Sequence, residues 1–298
     1  MGLSALRNWF GRAPIPPSML HAPTESRARS SADHSGAIPD SHWTQARIAI
    51  ASTLWGAGFQ LPGGEIETMR LVKPMPLATA SDLLLLGAGG GGVAETLAVR
   101  LGVTVFGFEA DPALVAAASA HLRGNKLARR ASVSLWDPAE PELGTQAYHN
   151  CFALEPLRGL KMEPLLSAVT DSLKSGGQMI LMETVADSAL STREEDVARW
   201  ASIEQRQPDS LPTEIAITRV LGRLGYEVRA VEDVSQRHVQ QALLGWRTLA
   251  REIRMKRPEG EDAAALIAEG ERWSTRLRLF SDARLRLVRW HVVGRGMS

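Results

Sequence analysis

The chain has 298 residues, 44% of them apolar and 22% charged. At ~100–200 residues per domain, that is enough for one full α/β core and a substantial extension. A net charge of +1 excludes bulk electrostatic attraction to nucleic acid, so no nucleic-acid partner is expected. The single Cys151 excludes an intrachain disulfide framework and any multi-cysteine metal site, and the seven histidines show no metal-ligand spacing. No apolar run approaches the ~20 residues that span a bilayer, and the chain reads as cytoplasmic.

Residues 1–40 are rich in Pro, Ser, Ala and Arg, with no acid before Glu25. They read as a disordered or weakly amphipathic tail, in which Leu3, Leu6, Trp9 and Phe10 with Arg7 and Arg12 suit weak contact with a membrane surface. Residues 41–298 read as one ligand-binding domain: 41–80 a lid, 81–235 a core sheet, and 236–298 a helical extension with a final strand. Trp43 to Leu54 is helix-like. Trp55-Gly56-Ala57-Gly58-Phe59-Gln60-Leu61-Pro62-Gly63-Gly64 has the glycines of a hinge and the aromatics of a cover that excludes water.

Leu83 to Leu86 is an apolar run that ends abruptly in Gly87-Ala88-Gly89-Gly90-Gly91-Gly92, the signature of a buried strand feeding a nucleotide-binding loop. A helix is expected over Val93 to Arg100 and a second strand over Val103 to Phe108. Glu109 then falls 22 positions after Gly87, where such folds place the acid that accepts ribose hydroxyls. Gly87, Gly89 and Gly92 satisfy a dinucleotide pattern, while Gly87, Gly89 and Gly91 satisfy the shorter pattern of S-adenosyl-L-methionine (SAM) enzymes. A third strand, Ala131 to Trp136, ends at Asp137, which puts a second carboxylate at the carboxyl edge of the sheet. Leu165 to Lys174 reads as a helix closed by Ser175-Gly176-Gly177, with a strand over Gln178 to Glu183. Cys151 reads as a small apolar residue on a fourth strand. Glu214 to Leu224 is helix-like, a strand enters at Gly225-Tyr226-Glu227-Val228, and a long helix containing Trp246 follows Ser235.

The run from Leu83 to Glu183 resembles the core of a class I SAM-dependent methyltransferase. That resemblance implies a Rossmann-like, doubly wound α/β sheet with an N-terminal helical lid and a C-terminal helical extension. It also implies SAM as cofactor, held by Gly87, Ala88, Gly89, Gly91, Glu109, Asp137 and Trp55. More narrowly, the lid segment is similar to that of phosphoethanolamine N-methyltransferases and related small-molecule methyltransferases. The order Trp273-Ser274, Arg276, Arg278, then Trp290-His291-Val292-Val293 also follows the C-terminal pattern of that group. A small-molecule methyl acceptor is implied, an amine or an anion, with Trp43, Arg276 and Arg278 on the substrate side.

Four positions depart from that group. Leu85 stands where an acid usually precedes the glycine loop, Trp43 replaces the catalytic tyrosine, the paired histidine falls near Pro156, and an aspartate maps to Phe152. Catalytic residues are therefore unassigned. Two classes stay open: a SAM-dependent methyltransferase, and a non-catalytic SAM- or nucleotide-binding relative that acts through protein or membrane contacts. Glu155 reads as a solvated loop acid or as an acceptor of substrate protons, the former being the expectation. From Arg237 onward there are 13 Lys or Arg against 7 Asp or Glu, and 21 against 26 before it, so the C-terminal arginines read as a solvated basic face or as a phosphate-binding set.

Overall fold

A computed structural model describes residues 42–158, 160–255 and 257–294. The tail reading for residues 1–40 lies outside them. Seven strands form one sheet in the order β3-β2-β1-β4-β5-β7-β6. These are β1 (Asp82–Leu86), β2 (Thr104–Glu109), β3 (Ala131–Leu135), β4 (Tyr148–Leu154), β5 (Leu173–Val185), β6 (Tyr226–Asp233) and β7 (Arg286–Gly294). All neighbouring pairs from β3 to β5 are parallel, and β7 runs antiparallel to both β5 and β6.

The strands at the centre are apolar on both faces because both faces are covered, as parallel sheets require. Leu83, Leu85, Phe152, Leu154, Ile180 and Met182 face one core; Leu84, Leu86, Cys151, Ala153, Met179 and Leu181 face the other. The strict alternation follows from the two-residue period of a strand. Cys151 is fully buried, and burial pushes its thiol pKa up, as the structural reading of this residue anticipates.

Nine α-helices are described: α1 (Gln45–Trp55), α2 (Gly64–Val72), α3 (Gly92–Leu101), α4 (Pro112–Gly124), α5 (Met162–Ser172), α6 (Glu195–Glu204), α7 (Glu214–Arg223), α8 (Ser235–Met255) and α9 (Gly260–Ser281). Local chemistry marks several starts. Thr44 Oγ1 accepts the Arg47 N–H at 3.2 Å. Asp111 accepts the N–H groups of Ala113 and Leu114 at 2.9 and 3.3 Å, with Pro112 in the first helical turn.

One boundary differs from the expectation. Helix α5 ends at Ser172, and Leu173 to Gly177 already belong to β5, so the glycine pair lies inside an irregular strand start. A Cβ on Gly177 would sit 2.8 Å from the Lys174 carbonyl oxygen and 2.9 Å from that of His149. The glycine is needed for that close backbone approach, not for ending a helix. Strand β7, from the end of the chain, inserts between β5 and β6 and so completes the sheet.

Candidate functional site

The loop after β1 is a turn only glycine can make. Gly87, Gly89 and Gly91 have φ of 68°, 57° and 94°, the region that L side chains avoid. A Cβ on Gly87 would lie 2.2 Å from the Leu154 carbonyl oxygen, so β1 and β4 could not close there with any other residue. Glu109 ends β2 beside this loop. Its Oε2 accepts the Gly89 N–H at 2.9 Å, and its Oε1 accepts the N–H groups of Ala110 and Asp111 at 2.9 and 3.2 Å. The predicted glycines and acid thus come together as one constellation.

The lid segment lies directly on the loop. The Gly92 N–H donates to the Gly58 carbonyl at 3.0 Å, and Gln60 Oε1 accepts the Gly90 N–H at 2.7 Å. The Gln60 oxygen is only 1.8 Å from where a Gly89 Cβ would be. Gln60 therefore fills the space over the loop and takes a backbone donor that a ligand oxygen can otherwise take. The Gly63-Gly64 pair ties the far end of the lid down: a Cβ on Gly63, at φ 100°, would meet Gln241 Oε1 of α8 at 2.7 Å.

Beside the loop is a cavity of about 50 Å³. Gly87 and Ala88 form one side, Phe59 to Pro62 the lid, Phe152, Leu154 and Met182 the sheet edge, and Val234, His238, Gln241 and Leu287 the C-terminal side. Small-molecule sites usually hold ~300–1,000 Å³. With Phe59 to Pro62 in this position the cavity is smaller than that. Among the described residues that line it, the only ones with ionisable side chains are Glu67 and His238. Glu67 is already committed, accepting from Arg237 and Gln241, each at 2.7 Å.

The other predicted site residues lie elsewhere. Asp137 is exposed after β3, where its Oδ1 accepts the Ala139 N–H at 2.8 Å. Trp55 is buried against Trp273, with ring centroids 4.8 Å apart. Trp43 is buried with the Arg47 guanidinium 3.8 Å over its ring, so the cation against that face belongs to the protein. Arg278 pairs with Asp196 at 2.7 Å on an exposed face. None of these residues lines the cavity.

Arg276 is buried, and it belongs to a cluster that sequence reasoning missed. It donates to Glu155 and Thr184, and to Glu204 at 2.9 Å; Arg206 donates to Glu155 at 2.8 Å. Glu155 is 2% exposed, which corrects the expectation of a solvated loop acid. Burial opposes its ionisation, but Arg276 and Arg206 outweigh that and hold its pKa well below the usual carboxylate range. Nearby Glu183 is pushed up to about 7 by burial, against the pull of Arg206 and with Glu155 adding repulsion. Partners 51 to 121 positions apart leave no local pattern to read. The one available signal was an acid following an apolar strand, at the carboxyl edge where polar residues cluster.

The C-terminal basic excess has the same explanation. Arg284 pairs with Glu194, Arg286 with Asp187, Glu214 and Asp233, Arg289 with Glu232, and Arg237 with Glu67 and Glu232. All these acids precede residue 237, so the charge asymmetry of the sequence is matched internally. Among the described residues, no helix is long and apolar enough to cross a membrane.

No protein-family model matches the chain, and no curated protein matches it in sequence. Solved structures do. Phosphoethanolamine N-methyltransferase 2 of Haemonchus contortus, in complex with phosphomonomethylethanolamine and S-adenosylhomocysteine, superposes with a TM-score of 0.73 at 20% identity over 83% of this chain. The match takes in 57% of that enzyme, so the chain spans little more than half its length. The [4+2]-cyclase SpnF matches with a TM-score of 0.66 at 17% identity, over 85% of this chain and 93% of that one. Geranyl diphosphate C-methyltransferase of Streptomyces coelicolor matches with a TM-score of 0.58 at 13% identity, over 76% and 79%. At these identities the likeness establishes architecture. The chain has the Rossmann-like α/β fold of class I SAM-dependent methyltransferases.

Proposed function

We propose that this protein is a SAM-dependent methyltransferase acting on a small molecule. The observation that carries the reading is Glu109 at the carboxyl end of β2, its carboxylate engaged with the Gly89 N–H beside a cavity that Gly87 and Ala88 line. A carboxylate there is placed to accept ribose hydroxyls, while the loop N–H groups from Gly87 to Gly92 all have protein acceptors here, that of Gly90 being the Gln60 side chain. Gln60 covers the loop here: its amide oxygen takes the Gly90 N–H, and its buried Nε2 has no hydrogen-bond partner among the described residues. When bound, SAM supplies an electrophilic methyl group on a sulfonium.

The chain's own part is to hold donor and acceptor in line and to exclude water. Phe59, Leu61, Phe152, Leu154 and Met182 make the cavity dry, and the lid from Gly58 to Gly64 closes it over the loop. A neutral nucleophile attacks a sulfonium methyl without prior proton removal, so Trp43, Phe152 and Pro156 in place of ionisable residues do not block the reaction. An anionic acceptor would need a free cation, and among the described cavity-lining residues there is no Lys or Arg.

Calorimetric titration of the full chain with SAM, S-adenosylhomocysteine and NAD tests the cofactor assignment. Binding of the two adenosyl compounds and not of NAD is expected. Binding of NAD alone would replace the reading with a dinucleotide one.

A further inference from the structure

The cavity has one polar atom on its C-terminal side that nothing in the fold uses. His238, in the first turn of α8, is 4% exposed, and its Nε2 is buried without a hydrogen-bond partner among the described residues. Its ring is gripped on the far side by Trp273 and Phe280, at centroid distances of 5.8 and 5.4 Å. Buried imidazole nitrogens almost always find a partner, because leaving one unmet costs about 1–3 kcal/mol. The side chain lines the cavity, and a fold that packs two aromatic rings against it fixes the position of this imidazole for something that enters the cavity.

We propose that the His238 imidazole recognises the methyl acceptor, and that the acceptor is an uncharged, largely apolar molecule bearing a hydroxyl or amine. This rests on the methyltransferase reading. The wall that His238 shares with Val234 and Leu287 comes from α8, the residue that precedes it and β7, not from the glycine loop proposed to serve the cofactor. The remaining surroundings are aliphatic or aromatic, chiefly Phe59, Leu61, Leu71, Phe152 and Met182. Charge is disfavoured on both sides: Glu67 is satisfied by Arg237 and Gln241, and the positive charge of Arg276 behind the ring is spent on Glu155 and Glu204. The imidazole itself is neutral, since burial foremost and then Arg276 depress its pKa to about 3, against the opposing charge of Glu155. A neutral imidazole both donates and accepts hydrogen bonds, which suits a hydroxyl or an uncharged amine, and it brings no charge to offset the desolvation of a carboxylate.

Phenol and benzoate serve as a matched pair of probes, equal in ring and different in charge. Each is titrated into the full chain saturated with S-adenosylhomocysteine, for the wild type, His238→Phe and His238→Gln. The Nε2 resonance of ¹⁵N-histidine-labelled protein reports the contact. Phenol is expected to bind and to shift that resonance, and benzoate to bind at least tenfold more weakly. His238→Phe, which fits the aromatic surroundings, should weaken phenol at least tenfold while S-adenosylhomocysteine stays within twofold; His238→Gln should restore part of the loss. Failure of phenol to bind, equal binding of benzoate, or phenol affinity unchanged in His238→Phe overturns the inference while leaving the cofactor assignment standing. Failure of the wild type to bind S-adenosylhomocysteine overturns the methyltransferase reading, and the inference with it.

Discussion

The glycine-loop side of the cavity and the ionic cluster at the ends of β4 and β5 are built by opposite means. On the β1–β2 side, function rests on backbone: left-handed glycines, loop N–H groups and one carboxylate that closes the turn. On the β4–β5 side the structure rests on side chains brought from far apart, with Glu155, Glu183, Arg206 and Arg276 buried together and Glu204 half-buried beside them. A backbone device tolerates little substitution but needs no distant partner. A buried ionic device needs every partner at once, because each charge taken out of water is stabilised only by the others.

The sharpest way to break this contrast is Arg276→Met. It leaves Glu155 and Glu204 short of a buried cation, and loss of one partner from such a cluster costs about 3–5 kcal/mol. A chemical denaturation midpoint should fall accordingly. The double variant Arg276→Met with Glu155→Gln should recover part of the loss. A midpoint unchanged in the single variant would mean the cluster is solvated.

Protonation offers a second, smaller probe of the same side. His238 is depressed from 6.5 to about 3 in the fold, so its contribution to stability is complete above pH 6.5 and is lost as pH falls towards 3, the unfolded chain taking up the proton first. Between pH 6.5 and 5 that amounts to about 2 kcal/mol, at about 1.4 kcal/mol per pH unit. Arg276 and Glu155, the charged neighbours that move this pKa most after burial, are unchanged in His238→Phe. That variant should therefore lose less stability than the wild type over this range. Equal losses in the two proteins would place the imidazole in water.

The glycine-loop side answers to a smaller change. Gln60→Ala removes the acceptor of the Gly90 N–H, a bond worth about 0.5–1.5 kcal/mol, and should speed hydrogen exchange at Gly90 by up to about tenfold, with the sheet amides unaffected. Unchanged exchange at Gly90 would show that the lid does not hold the loop.

The same contrast governs what the sequence made legible. The glycine loop, Glu109 and the strands around them were readable because each is a local pattern: a run of leucines, glycines at fixed offsets, an acid about 20 positions on. Helix α7, strand β6 and helix α8 were readable from periodicity. The end of α5 was misplaced because Gly176-Gly177 has the composition of a helix stop, whereas the strand uses it for close packing. Trp43 and Trp55 were read as ligand-facing because aromatics near a lid suit that role; Arg47 and Trp273 are what they meet. Arg276 was noticed as an arginine, but its partner Glu155 lies 121 positions away, and no pattern in one chain connects them. His238 carried no signal at all, since an unmet nitrogen is visible only after packing.

The central claim is that the cofactor sits where Glu109 meets the Gly87 to Gly92 loop. Isothermal titration of S-adenosylhomocysteine into the wild type and a folded Glu109→Ala variant tests it most directly. Binding by the wild type and at least a tenfold loss in the variant are expected, corresponding to charge-assisted hydrogen bonds of about 1.5–3 kcal/mol. Affinity unaltered by Glu109→Ala would contradict it.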